Sequence, residues 1–165
     1  MSKMNIFILR HGDANTSTKV MDDFKRPISD VGVKESEYIA KMLSVFGIMF
    51  DRVFSSPLTR AKQTAEIAIK SQKVRIVEVN ELKPEGNVEQ IAKILSEQKE
   101  NSTILLVGHS PLLVDLICYI TGSVHGSVSL KTGGIAKIKT SSLRPRLSGN
   151  LEWLLTPKVI RKISK

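Results

Sequence analysis

A single cysteine in 165 residues excludes an internal disulfide, so the chain is not a disulfide-stapled scaffold. That residue, Cys118, lies within the apolar segment 112–120, where nothing supplies the accessible, electropositive setting a nucleophilic thiol needs; it reads as core. Aromatic residues are sparse, at 5%. They are not interleaved with the basic residues as a stacking surface for nucleic acid requires, and no nucleic-acid partner is expected. No apolar run has the length of a bilayer span, so no membrane partner is expected either. Only Lys3 precedes the first apolar stretch and no small-residue cleavage site follows it, so a cytoplasmic location is expected rather than secretion. Repeats at a solenoid period and low-complexity segments are also missing.

Acidic residues are scarce at one end only. Residues 131–165 hold nine Lys and Arg against one acid, Glu152, whereas residues 1–130 hold 16 basic and 15 acidic residues. The net charge of +9 therefore belongs almost wholly to the C-terminal part. It reads as a basic end from about residue 156, either a solvated edge and tail or a docking surface for an acidic partner.

Apolar residues make up 41% and charged residues 25%, the balance of a soluble globular protein, and the length suits one domain spanning 1–165. Strand and helix signals alternate. Strands are predicted at 4–9, 51–54, 74–79 and 103–108, with a late hairpin from 133–138 and 151–155 turning around 147–150. Ser29 and Asp30 cap a predicted helix over 31–46, with Tyr38, Met42, Leu43 and Phe46 on its core face. Ser56-Pro57 and Ser110-Pro111 both have the order of an N-cap followed by Pro at the first helical position. A further helix is predicted over 87–98 after an irregular connection. These elements predict a three-layer α/β/α sandwich with a mostly parallel central sheet.

Two histidines end two of the buried strands: His11 in Arg10-His11-Gly12 and His109 in Gly108-His109-Ser110. Open α/β sheets place ligands at such strand ends. Arg60 falls in the first turn of the helix after Ser56-Pro57. Two arginines and two histidines can thus converge on one anionic centre, and phosphate suits it. Arg10 and Arg60 offer forked, charge-assisted hydrogen bonds to phosphate oxygens. Neutral His11 can attack phosphorus, and the arginines beside it disfavour its charged form. His109 can donate to the same phosphate. Ser56 and Ser110 read as helix caps that can also contact phosphate. Glu81, at the end of the third strand, is the best-placed acid for the leaving group, with Asp13 as its rival. His125 reads as a turn residue outside the site. Two histidines without carboxylates at ligand spacing make a poor metal site, so no metal and no other cofactor is expected.

Leu9-Arg10-His11-Gly12, the block Ser55-Ser56-Pro57-Leu58-Thr59-Arg60-Ala61-Lys62-Gln63-Thr64-Ala65, and Val107-Gly108-His109-Ser110 resemble, in order, the signature elements of the histidine phosphatase superfamily, the phosphoglycerate mutase-like proteins. The likeness covers roughly residues 4–155. Small size and the short 81–86 connection are most similar to its SixA-like phosphohistidine phosphatases. The resemblance implies a pocket of Arg10, His11, Arg60 and His109, His11 as the phosphorylated nucleophile, and no metal. Two departures stand out: Asn15 is offset from the asparagine many larger relatives carry after Arg-His-Gly, and the insertion before residue 103 is short. An open site of this kind suits a phosphorylated protein better than an enclosed small phosphomonoester. The expected function is a metal-independent phosphatase acting on phosphohistidine in a protein. The alternatives are a general phosphomonoesterase, a phosphoglycerate-type mutase, and a non-catalytic phosphoprotein-binding module.

Overall fold

The computed structural model describes residues 3–16 and 22–165. Six strands form one sheet: β1 (Asn5–Arg10), β2 (Arg52–Ser55), β3 (Ile76–Glu78), β4 (Thr103–Gly108), β5 (Ile135–Ser142) and β6 (Ser148–Leu155). Their order is β3-β2-β4-β1-β5-β6. The first four run parallel, β5 is antiparallel to β1, and β6 is antiparallel to β5 at the edge. Five α-helices cover it: α1 (Asp30–Val45), α2 (Thr59–Ala68), α3 (Val88–Ser96), α4 (Leu112–Thr121) and α5 (Pro157–Ile163). Among the described residues no helix is long and apolar enough to cross a membrane.

Alternation along the central strands explains the layers. Ile6 and Ile8 of β1 pack with Ile104 and Leu106 of β4 against α3 and α4. Phe7 and Leu9, with Leu105 and Val107, face α1, α2 and Ile160 of α5. A sheet buried on both faces demands apolar residues in succession, which is why these strands appear in the sequence as unbroken apolar runs. The predicted three-layer sandwich is the observed architecture.

Chain direction then positions the strand ends. After β1 the chain crosses one face over α1 to β2; it returns to β4 through α3 on the opposite face. Neighbouring β1 and β4 therefore send their loops apart, and a crevice opens at their C-terminal ends. The β3-to-β4 connection consists of a 3-10 turn (Asn80–Leu82) and α3, with no inserted helical layer.

Several local expectations are corrected. Helix α1 ends at Val45, so Phe46 leaves the helical face and is 58% exposed instead of core. Strand β3 spans three residues, because 74 and 75 have no paired neighbour on β2. The hairpin turns at 143–147, and residues 148–150 already pair with β5. Neither Ser-Pro pair opens a helix as predicted. Helix α2 begins at Thr59, α4 at Leu112, and neither has a side-chain cap. Finally, the basic end is not a free tail: Pro157 starts α5, Ile160 is buried, and Ser164 Oγ donates to Tyr38 O of α1 at 3.0 Å.

Candidate active site

Register brings the two histidines together. Arg10 pairs with Gly108, so His11 and His109 each stand one residue beyond their strands, and His11 N donates to Gly108 O at 3.0 Å. Their ring centroids are 5.1 Å apart. The loop after β1 presses so closely on α1 that a Cβ on Gly12 would meet Gly32 O at 2.8 Å, and one on Gly32 would clash with Asp13 O. Glycine at both positions permits the approach.

Both imidazoles are buried and neutral. Burial first, then the charges of Arg60, Arg10 and Arg26, lowers the His11 pKa to about 4, against a raising effect of the Gly12 bond. Burial, then His11 and the arginines, lowers His109 to about 3. His11 Nδ1 lies 2.7 Å from Gly12 O. A carbonyl only accepts, so Nδ1 carries the hydrogen and Nε2 the free lone pair. His109 Nε2 lies 2.8 Å from Ser56 Oγ.

The two arginines are held alike. Arg10 Nη1 donates to Leu130 O at 2.9 Å, and Arg60 Nη1 donates to Asp23 O at 2.8 Å. In each case Nε is buried without a partner among the described residues. His109 Nδ1 and Ser110 Oγ are in the same condition. Buried polar atoms are almost always hydrogen-bonded, so the three orphans on Arg10, Arg60 and His109, neighbours of His11, call for a ligand that accepts from them. An oxyanion answers that description. Burial lowers both arginine pKa values, yet from so high a starting point that both stay charged.

Comparison with known proteins agrees with this geometry. Residues 6–85 match the model of the histidine phosphatase superfamily (branch 1). The phosphohistidine phosphatase SixA of Escherichia coli K12 is 28% identical over 167 residues, which span 93% of this chain and 94% of that protein. The solved structure of the protein histidine phosphatase SixA complexed with tungstate superposes with a TM-score of 0.82 at 26% identity, covering 94% and 99% of the two chains. By these matches the chain is similar to the histidine phosphatase superfamily. A putative α-ribazole-5'-P phosphatase of Escherichia coli shares the fold at a TM-score of 0.78 and 20% identity, over 93% and 98% of the chains.

The fold thus brings Arg10, His11, Arg60 and His109 close together at the ends of β1 and β4 and the start of α2. Ser56 sits against His109, and Ser110 lies next in sequence to it. Glu81 occupies the 3-10 turn after β3. That turn abuts the strand ends: Val79 N donates to Ser55 O at 2.9 Å, and Leu82 O would lie 3.2 Å from a Cβ on Gly108. The rival Asp13 accepts from Ser29 Oγ at 2.5 Å, which ties its carboxylate to the start of α1. His125 stays outside, exposed and 3.2 Å from Asp115. Among the described residues no three His, Cys, Asp or Glu side chains group as metal ligands.

Three neighbours of the site escaped the sequence reading. Asp23 accepts from Arg60 Nη2 at 3.2 Å and from Arg26 Nε at 3.0 Å. Burial alone would raise its pKa; the Arg26 hydrogen bond and the two arginine charges hold it below the usual value. Thr64 Oγ1 accepts from Gly12 N at 3.0 Å, and Glu35 accepts from Asp13 N at 2.8 Å. Burial, followed by the charge of Asp13, raises the Glu35 pKa against that amide bond. Each joins segments far apart in sequence, and the only local signal is the three-residue spacing of Asp23 and Arg26.

Proposed function

We propose that this chain is a histidine phosphatase that hydrolyses phosphohistidine on a protein through a phosphorylated His11, with no metal ion. The observation that carries the reading is the set of unpartnered buried donors on Arg10, Arg60 and His109, gathered beside a neutral histidine whose Nε2 holds a lone pair.

In this mechanism the guanidinium edges of Arg10 and Arg60 bind the phosphoryl oxygens. The His11 Nε2 lone pair attacks phosphorus; a P–N bond forms to His11 while the bond from phosphorus to the leaving group breaks. The leaving group takes that electron pair and gains a proton, supplied by Glu81, by Asp13 or by water. His109 stabilises the charge that builds on the phosphoryl oxygens. Water then attacks the phosphohistidine, phosphate departs with the new P–O bond, and Nε2 regains its pair.

A protein substrate is favoured by the plain β3-to-β4 connection. It carries no inserted helical layer to enclose a small phosphomonoester, and a mutase needs enclosure to keep water from its phosphoenzyme. An intact histidine with a free Nε2 disfavours a pure binding module, which needs no nucleophile.

Turnover on a phosphohistidine protein, p-nitrophenyl phosphate and 3-phosphoglycerate, with and without EDTA, tests the reading. The first two are expected to be hydrolysed equally well with chelator. Loss of activity that a divalent ion restores overturns the metal-free mechanism, and phosphate returned to a glycerate acceptor overturns hydrolysis.

A further inference from the structure

We infer that Ser56 is a positioning residue that fixes the tautomer of His109, keeping its donor hydrogen on Nδ1. The inference rests on the proposed function for its importance, but its geometry stands independently. Ser56 is fully buried, and its backbone is pinned: Ser56 N donates to Val107 O at 2.9 Å, and Ser56 O accepts from Ser55 Oγ at 2.9 Å. Among the described residues its hydroxyl meets two polar groups, Leu58 N at 3.3 Å and His109 Nε2 at 2.8 Å.

The amide of Leu58 is a donor, so it uses an oxygen lone pair of Ser56 and leaves the hydroxyl hydrogen free. Two arrangements remain. If Ser56 donates to Nε2, every polar atom of the hydroxyl is used and the neutral ring carries its hydrogen on Nδ1. If Nε2 donates instead, the hydroxyl receives two donors and its own hydrogen is buried without an acceptor, an outcome folded proteins avoid. The first arrangement prevails. It places a hydrogen on His109 Nδ1, the buried atom that has no partner among the described residues and that, on the proposed function, donates to phosphate. A lone pair at that position would repel a phosphoryl oxygen.

Ser56 therefore acts on the phosphate through His109. It has no hydrogen left for a direct contact, which revises its expected role as a phosphate ligand. Sequence alone offers the serine as a cap; the parallel pairing of β2 with β4 turns it toward the histidine.

The experiment is long-range ¹H–¹⁵N correlation spectroscopy of the ¹⁵N-labelled full chain at neutral pH, which distinguishes Nδ1–H from Nε2–H rings. Both His11 and His109 are expected as Nδ1–H, held by Gly12 O and by Ser56 respectively. In Ser56→Ala, His109 should shift toward Nε2–H while His11 stays unchanged. The kcat should fall roughly 10- to 100-fold with KM little altered, a loss below that of His109→Ala. Ser56→Cys, nearly isosteric and a weak donor, should fall between the two and serves where Ala fails to fold. A wild-type His109 in the Nε2–H form overturns the inference, as does a Ser56→Ala protein that loses activity with His109 still Nδ1–H. Failure of His11 to become phosphorylated would remove the proposed function and leave the tautomer assignment standing.

Discussion

His11 and His109 lie with ring centroids 5.1 Å apart, and His11 disfavours a proton on His109. Their pKa values of about 4 and about 3 lie below the ordinary 6.5. The sign of the consequence follows. Below pH 6.5 the unfolded chain binds protons that the folded site refuses, so stability is complete above that value and declines as the pH falls toward 4. A loss on the order of a few kcal/mol is expected, measurable as urea-unfolding curves at pH 7 and pH 4.5. His109→Asn should flatten this dependence; an unchanged slope would mean the histidines do not cause it. Tungstate, a dianion, should reverse the coupling by raising both pKa values, so its binding near pH 5 should take up protons, detectable by calorimetry in buffers of different ionisation heat.

Arg10 and Arg60 each have one terminal nitrogen tied to a carbonyl and Nε unused. Their value lies in a fixed edge as much as in charge. Arg10→Ala and Arg60→Ala should each lower turnover by roughly 10²–10³. Lysine at either position keeps the charge but has no fork, so it should recover little of that loss. Full recovery by lysine would show that charge alone suffices. Asp23→Ala removes the carboxylate that accepts from Arg60 Nη2 while keeping the carbonyl that accepts from Nη1, and should raise KM severalfold, with a smaller change in kcat.

The central fold and the four pocket residues were legible because the physics behind them is local. Strands β1 and β4 are buried on both faces, hence their unbroken apolar runs, and His11 and His109 immediately follow them. Arg60 was visible through its Ser-Ser-Pro context. Ser56 was misread as a cap because hydroxyl chemistry fits a helix start and a buried histidine equally well; only the β2–β4 register decides between them. Asp23 against Arg60, Thr64 against Gly12 and Glu35 against Asp13 are pairings that no local pattern encodes. The docking of α5 on α1 rests on one buried apolar side chain, Ile160, and the Ser164 hydroxyl, within a strongly charged stretch, too weak a period to reveal a helix.

The basic end offers a second test of a protein substrate. Lys34 of α1 and Lys158 and Arg161 of α5 line a groove with the exposed Val31, on the side of α1 where Glu35 reaches Asp13. Lys158→Glu with Arg161→Glu should leave p-nitrophenyl phosphate turnover unchanged. On an acidic phosphohistidine protein it should lower kcat/KM, most strongly at low salt. Equal rates on both substrates would reduce α5 to a solubilising surface.

Glu81 and Asp13 are separated by the leaving group. If Glu81 supplies the proton, Glu81→Gln should slow an alkyl phosphate strongly and p-nitrophenyl phosphate little, because nitrophenolate departs unaided. Asp13→Asn should act differently: its carboxylate is held by Ser29 at 2.5 Å, so its loss should disturb the start of α1 and lower thermal stability along with activity. A selective alkyl-phosphate defect in Asp13→Asn instead would transfer the acid role to Asp13. A small, uniform effect of Glu81→Gln would leave it a surface residue of the 3-10 turn.

The nucleophile admits the sharpest test. His11 Nε2 holds the free lone pair, so the covalent intermediate must be a phosphoramidate, labile in acid and stable in base. Brief incubation with ³²P-labelled substrate and an alkaline quench should leave label on the protein, and acid should release it. His11→Ala should abolish label and turnover together. His109→Ala should still accept label, though slowly, since it removes a donor and leaves the attacking nitrogen in place. Label that survives in His11→Ala, or that resists acid as a serine ester at Ser56 or Ser110 does, would move the nucleophile elsewhere in the crevice.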